Sequence, residues 1–341
     1  MRWDLFCRVI DNYGDVGVGW RLARGLAARG ESVRLWIDDA SALAWMAPAD
    51  APGVEVGAFD AAAEPGDVVV ETFGCDPPAA FVAAMRGRRP VWVNLEYLSA
   101  EGYVERSHGL PSPQPGGLTK WFFFPGFTPC TGGLLREPGL LAQRAAFDRS
   151  AWLARLGLSL NPGERAVSLF SYANPALPAL LDLLAAQPTL LLLTAGTVQA
   201  QMAAVQSLPS GLRTAALPWL TQDDYDRLLW VSDINFVRGE DSLVRAIWAG
   251  APFVWQIYPQ HDDAHAAKLQ AFLDRFPALP GLDGLWRGWN GLAPGRFALP
   301  DSAAWQAACL AWRDTLARQP DLVSALQAFV ANAGRKTDPL C

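Results

Sequence analysis

Two short segments hold residue types that could do chemistry together. The first, IDNYGDVGVGWR, places Asp11 and Asp15 around a glycine-rich turn between an apolar run and an amphipathic one. Carboxylates this close suit a base and an orienting partner beside a reacting centre, and either aspartate equally suits the cap of a following helix. Spacing alone leaves both readings open. Gly14, Gly17 and Gly19 run GxxGxG, whereas a nicotinamide oxidoreductase would carry GxGxxG and an acid about 20 residues further on. That class is disfavoured.

The second segment, NFVRGEDSLVRAIWAGAPFVWQIYPQ from Asn235 to Gln260, reads strand, turn, helix, turn, strand. Gly239 supplies the turn, and Glu240, Asp241 and Ser242 open an apolar-faced helix. The free N–H groups and positive dipole end of such a helix attract a diphosphate, and Arg238 adds a planar cation. Glu240 and Asp241 would then serve ribose or sugar hydroxyls. A plain capped helix is the competing account. Arg245, further along, reads as a surface or inter-domain group. Trp219, Tyr225 and Tyr258 flank the segment and could wall a nucleoside base by stacking, although with 15 tryptophans in the chain most aromatic rings must be core. Tyr172, in SLFSY at the end of the second half's first strand, is better placed, and is expected to face a cleft between two domains. The acid pairs Asp38–Asp39, Asp223–Asp224 and Asp262–Asp263 lack the DxD spacing that would hold a divalent ion on a diphosphate. No catalytic metal is expected.

The elements that must position these residues alternate. Apolar runs predict strands near 3–10, 32–37, 67–72, 90–94 and 120–124, then near 165–170, 189–194, 214–217, 233–237 and 252–257. Helical patterns fall between them, among them 19–29, 178–186, 223–230, 242–249 and 263–276, with 303–318 and 322–332 at the end. Strand–helix alternation twice over predicts an α/β protein of two parallel-sheet domains. The Gly-, Pro- and Thr-rich stretch 126–143 is the expected boundary. With no strand after them, the last helices are expected to cross back to the first domain, by analogy with two-domain Rossmann-like enzymes.

Composition bounds the rest. The 341 residues are 51% hydrophobic and 18% charged, with a net charge of −6, which disfavours a general nucleic-acid binder. Five unpatterned cysteines read as reduced thiols, and the three histidines make no metal-ligand pattern with them. With no signal-like start and no apolar run of about 18 residues, a soluble cytoplasmic protein is expected.

Taken together these stretches resemble the EarP family of protein-arginine rhamnosyltransferases. The matching segments are IDNYGDVGVGWRLAR, VNLEYLSAEGYVE, FFFPGFTPCTGGLLRE, LPWLTQDDYDRLLW and RGEDSLVRAIWAGAPFVWQIYPQ, spanning about 9–276. The resemblance implies a GT-B glycosyltransferase fold: two facing Rossmann-like domains with the active site in the cleft between them. It implies an acceptor-binding domain over 1–140, joined by a C-terminal helix at about 320–341, and a nucleotide-sugar domain over 141–319. It also implies dTDP-β-L-rhamnose as donor, inversion at the sugar carbon, and as acceptor an arginine at a loop tip of elongation factor P. A monomer without cofactor, metal, nucleic-acid or membrane partner is expected.

By position, the resemblance makes Asp15 the general base, Asp11 its acidic companion and Glu240 the second-domain glutamate required for activity. Tyr172, Trp219, Tyr225, Arg238, Gly239, Asp241, Ser242, Tyr258 and Gln260 would line the donor site. Trp219 stands where the family usually has Phe, Cys130 replaces a polar or basic residue, and HDDAH departs from the usual acids after YPQ. The alternatives are a GT-B transferase with another nucleotide sugar or acceptor, and a non-catalytic nucleotide-sugar-binding module.

Overall fold

The computed structural model describes residues 1–11, 13–47, 51–60, 62–258, 264–293 and 298–333. The chain divides into two units, Met1–Pro138 with Leu316–Cys341, and Gly139–Thr315.

In the first unit seven strands form one sheet: β1 (Arg2–Cys7), β2 (Ser32–Ile37), β3 (Val54–Gly57), β4 (Val68–Thr72), β5 (Val91–Leu95), β6 (Pro111–Gln114) and β7 (Leu118–Phe123). Their order is β3-β2-β1-β4-β5-β7-β6, parallel throughout except the terminal β6–β7 hairpin. Side chains alternate across the sheet, so Val68 and Val70 enter one core while Val69 enters the other. Burial on both faces is what a parallel sheet between helices requires. Asp4 is also fully buried, and its carboxylate is saturated by Arg34 (2.6 Å), the Trp36 indole (2.9 Å) and the Gly66 N–H (2.6 Å). One face is closed by the helix Gly14–Ala27 and by the final helix Leu322–Ala333, whose Leu322, Val323, Leu326 and Val330 join the same core. At Gly25 an added Cβ would lie 2.8 Å from Val323, so a glycine permits that helix approach.

The second unit holds β8 (Arg165–Leu169), β9 (Thr189–Leu193), β10 (Leu212–Ala216), β11 (Ile234–Arg238) and β12 (Phe253–Gln256), all parallel, in the order β10-β9-β8-β11-β12. One face packs Leu190, Leu192, Leu228 and Val231. Elsewhere in the unit Phe253, Phe272, Phe276, Trp286 and Trp312 pack ring on ring. Arg245 departs from its expectation as a surface or inter-domain group. It is buried, and its guanidinium meets Asp226 twice, at 2.8 and 2.6 Å, tying helix Gly239–Ala249 to helix Gln222–Val231. A buried guanidinium survives only with such a partner.

Cys7, Cys75 and Cys309 are buried free thiols. Among the described residues no helix is long and apolar enough to cross a membrane.

Candidate functional sites

Both sheets reverse their strand order at the first strand of the unit, between β1 and β4 and between β8 and β11. Open α/β sheets place ligands outside the carboxyl ends of the strands at such switch points.

At the first switch point the chain leaves β1 and enters helix Gly14–Ala27. Tyr13 occupies the N-cap with no side-chain cap bond. Asp15, in the first turn, sends Oδ2 backwards to accept the N–H groups of Ile10 (2.7 Å) and Asp11 (2.8 Å). The capping reading of Asp15 is therefore corrected: it braces the loop rather than the helix end. The loop closes through Gly14 N–H to the Asp11 carbonyl (2.7 Å), and a Cβ on Gly14 would stand 3.1 Å from an Asp11 carboxylate oxygen. Asp15 is only 3% exposed. Burial pushes its pKa above the ordinary aspartate value, against the pull of the two N–H donors, and the neighbouring Asp11 and Asp38 carboxylates push the same way. The result is a pair of neighbouring carboxylates, one of them buried and held above its ordinary proton affinity.

At the second switch point the polarity is reversed. Arg238 ends β11, paired in register with Gln256. Its guanidinium lies over the rings of Tyr172 (4.3 Å to the centroid) and Phe170 (4.7 Å), two cation–π contacts that hold the side chain. Gln256 Oε1 accepts the Tyr172 N–H at 2.9 Å, and Tyr258, half exposed, sets its ring edge-on to Tyr172 at 5.5 Å. Tyr225, partly buried, meets Phe170 edge-on at 5.5 Å. The Tyr225 hydroxyl is buried beside Ser242, and burial pushes the phenol's pKa up.

The chain then turns through Gly239 at φ +68°, a left-handed conformation that favours glycine, while the Gly239 carbonyl accepts the Trp255 indole at 2.9 Å. Gly239, Glu240 and Asp241 form the first turn of the helix, at its positive dipole end. Ser242 follows, and its hydroxyl donates back to the Arg238 carbonyl. It shapes the turn rather than presenting a hydroxyl. The repulsion expected between Glu240 and a phosphate is answered by Lys268, whose Nζ lies 2.7 Å from Glu240 Oε1.

The sequence-predicted residues thus fall into separate groups. Asp11 and Asp15 come together in the first unit. Tyr172, Arg238, Tyr258, Tyr225, Ser242 and the helix tip come together in the second. Trp219 stands elsewhere in that unit, 46% exposed, with its ring 3.3 Å from where a Cβ on Gly196 would be. Gln260 lies outside the described residues, as do Asp262 and Asp263. Three participants escaped the sequence reading: Phe170, Gln256 and Lys268. The first two sat inside quoted motifs, SLFSY and VWQIYPQ, and the third is a lone lysine among apolar neighbours. Among the described residues no group of three His, Cys, Asp or Glu side chains gathers as a metal site.

Comparison with known proteins places this geometry. Residues 3–331 match a family described as the elongation factor P (EF-P) rhamnosyltransferase EarP. The chain is 48% identical to a protein-arginine rhamnosyltransferase of Pseudomonas putida and 47% identical to one of Pseudomonas aeruginosa, each alignment covering 97% of this chain and 99% of the relative. A solved structure concerning EarP-mediated arginine glycosylation of translation elongation factor EF-P superposes with a TM-score of 0.67 at 36% identity, covering 97% of this chain and 99% of that one. The spinosyn rhamnosyltransferase SpnG, 14% identical with a TM-score of 0.53 over 96% of this chain and 99% of its own, shares the fold. The architecture is that of GT-B glycosyltransferases.

Proposed function

The chain belongs to the EarP family of elongation factor P rhamnosyltransferases, and from that premise we propose that it transfers L-rhamnose from dTDP-β-L-rhamnose to an arginine side chain of elongation factor P, with inversion at the sugar carbon. The observation that carries this reading is the opposite polarity of the two switch points: carboxylates at one, a clamped guanidinium over a helix tip at the other. The proposal assigns the acceptor to the first unit and the donor to the second.

A guanidinium is a reluctant nucleophile. Its pKa exceeds ~12, so an ordinary aspartate near ~4 cannot strip its proton beforehand. Burial of Asp15 narrows that gap without closing it. Asp15 therefore orients the guanidinium and polarises one N–H, with Asp11 holding the fork. As the arginine nitrogen bonds to the sugar carbon, that nitrogen becomes acidic and its proton passes to Asp15. The bond from the sugar carbon to the diphosphate oxygen breaks, and its electron pair leaves with dTDP. Attack opposite the leaving group inverts the centre in one displacement.

The departing diphosphate gains negative charge, which Arg238 and the N–H groups of Gly239, Glu240 and Asp241 are placed to receive. Glu240, neutralised by Lys268, is left to accept sugar hydroxyls. The exposed Trp219 ring offers a stacking wall for the base. In this reading the enzyme acts as a cytoplasmic monomer and needs no metal.

Intact-mass measurement of elongation factor P, incubated with enzyme and dTDP-rhamnose with and without EDTA, tests the proposal. One added rhamnosyl group at undiminished rate in EDTA is expected. An unmodified acceptor would overturn the reaction, and strict dependence on a divalent ion would overturn its metal independence.

A further inference from the structure

Where β4 ends, the backbone adopts an unfavourable conformation. Phe73 takes φ +59°, a left-handed conformation that bulky side chains rarely adopt, and Asp76 follows at +47°. Such strain persists where the surroundings over-determine it, and it gathers at working sites. Here the fixing contacts are explicit. The Phe73 N–H donates to the Leu95 carbonyl (2.7 Å) and the Gly74 N–H to Asn94 Oδ1 (3.0 Å). The Thr72 hydroxyl and the Cys75 thiol both donate to the Phe6 carbonyl, at 3.0 and 3.3 Å.

What the strain achieves is the placement of one ring. Phe73 lies flat against Tyr97, just beyond β5, with centroids 4.2 Å apart and planes 8° from parallel. Phe73 covers one face of Tyr97, yet the tyrosine remains 37% exposed. The pair stands at the carboxyl ends of β4 and β5, and β4 borders β1, whose following loop carries Asp11 and Asp15. The link to that loop is short. Cys7, the last residue of β1, donates its thiol to the Asp15 carbonyl at 3.4 Å, and β1 pairs with β4 up to Phe6 opposite Glu71, beside the Thr72 that precedes Phe73. The segment VNLEYLSAEGYVE has no part in the chemistry proposed above.

A flat aromatic face near a cluster of carboxylates complements one kind of side chain. A guanidinium is planar and weakly hydrated, stacks on rings, and turns its N–H fork sideways to carboxylates. The second unit shows that pairing internally, where Arg238 stacks on Tyr172. We infer that the Phe73–Tyr97 pair is the stacking platform for the acceptor's arginine, with Tyr97 contacting the guanidinium and Phe73 positioning Tyr97. The inference rests on the proposed function, because it takes the acceptor to be an arginine.

A double-mutant cycle tests it by binding, independently of turnover. The affinity of elongation factor P is measured for the wild-type enzyme and for Tyr97→Leu, with the native acceptor and with one whose target arginine is replaced by alanine. Tyr97→Leu is expected to weaken the native acceptor about tenfold, and the alanine acceptor by less than about twofold. Tyr97→Phe should restore native affinity, while the KM for dTDP-rhamnose and the melting temperature stay unchanged. Tyr97→Met repeats the loss of the ring with a different side chain, so a folding defect peculiar to leucine is recognised. Equal losses against both acceptors, or no loss, overturn the platform. A wild-type enzyme that binds but never modifies the acceptor would instead overturn the function.

Discussion

The two units share a strand order, 3-2-1-4-5 within each, and put their candidate chemistry at the same topological place. They differ in sign. Beyond β1 the chain collects carboxylates and raises the proton affinity of one by burying it. Beyond β11 it ends on an arginine, flattens that arginine against two rings and continues into a helix tip. The topology provides a location, and the few residues after a strand decide which charge that location accepts.

If the contrast is functional, variants should separate by unit. Asp15→Asn keeps the shape and removes the base, so kcat is expected to fall about 10³-fold, within the usual range for a general base. The affinity for dTDP-rhamnose should stay within about twofold, as equilibrium titration will show. A matching loss of donor affinity would erase the division between units.

Arg238→Lys keeps the charge but loses the planar fork and its stacking on Tyr172 and Phe170. Donor binding should weaken by about 10- to 100-fold, the worth of a charge-assisted bidentate contact. Unchanged donor affinity would remove the diphosphate from this site. Lys268→Met leaves the Glu240 carboxylate without its cation beside an anionic ligand, so the donor KM should rise about fivefold by a Coulomb estimate at partial exposure. Lys268→Arg should recover most of that loss.

The smallest effect concerns pH. In the proposed reaction Asp15 works as the carboxylate, and its pKa is raised, first by burial and then by Asp11 and Asp38. Activity is therefore lost as pH falls through a midpoint above the ordinary aspartate range. Asp11→Asn removes one like charge, so the acid limb of the kcat/KM profile should move to lower pH. Movement upward would show that Asp11 does not act on Asp15 in this way.

How much of this was legible beforehand depended on where a residue sat. All five strands of the second sheet were readable, because runs such as TLLLL are buried on both faces. The two missed strands, β3 and β6, are the two edges of the first sheet. In β6 the segment PSPQ carries two prolines, which argue against a strand yet are tolerated at an edge. The first helix begins at Gly14 rather than 19, since three glycines lowered its apparent propensity. At the sites, residue types were legible but partnerships were not. Arg238 finds Gln256 through strand register, Glu240 finds Lys268 across two helices, and Arg245 finds Asp226 inside the unit. No spacing encodes such contacts.

The final helix carries a consequence for biosynthesis. Its side chains complete a core that the first helix opened some 300 residues earlier. A ribosome delivers residues in order, at roughly 5–20 each second. The first unit, though begun first, keeps an unsealed apolar groove until residues 322–333 have emerged, while the second unit is one contiguous stretch, Gly139–Thr315. Birth order and maturation order are inverted, and a chain truncated after residue 315 should keep its second unit folded while the first lacks the helix that closes its core.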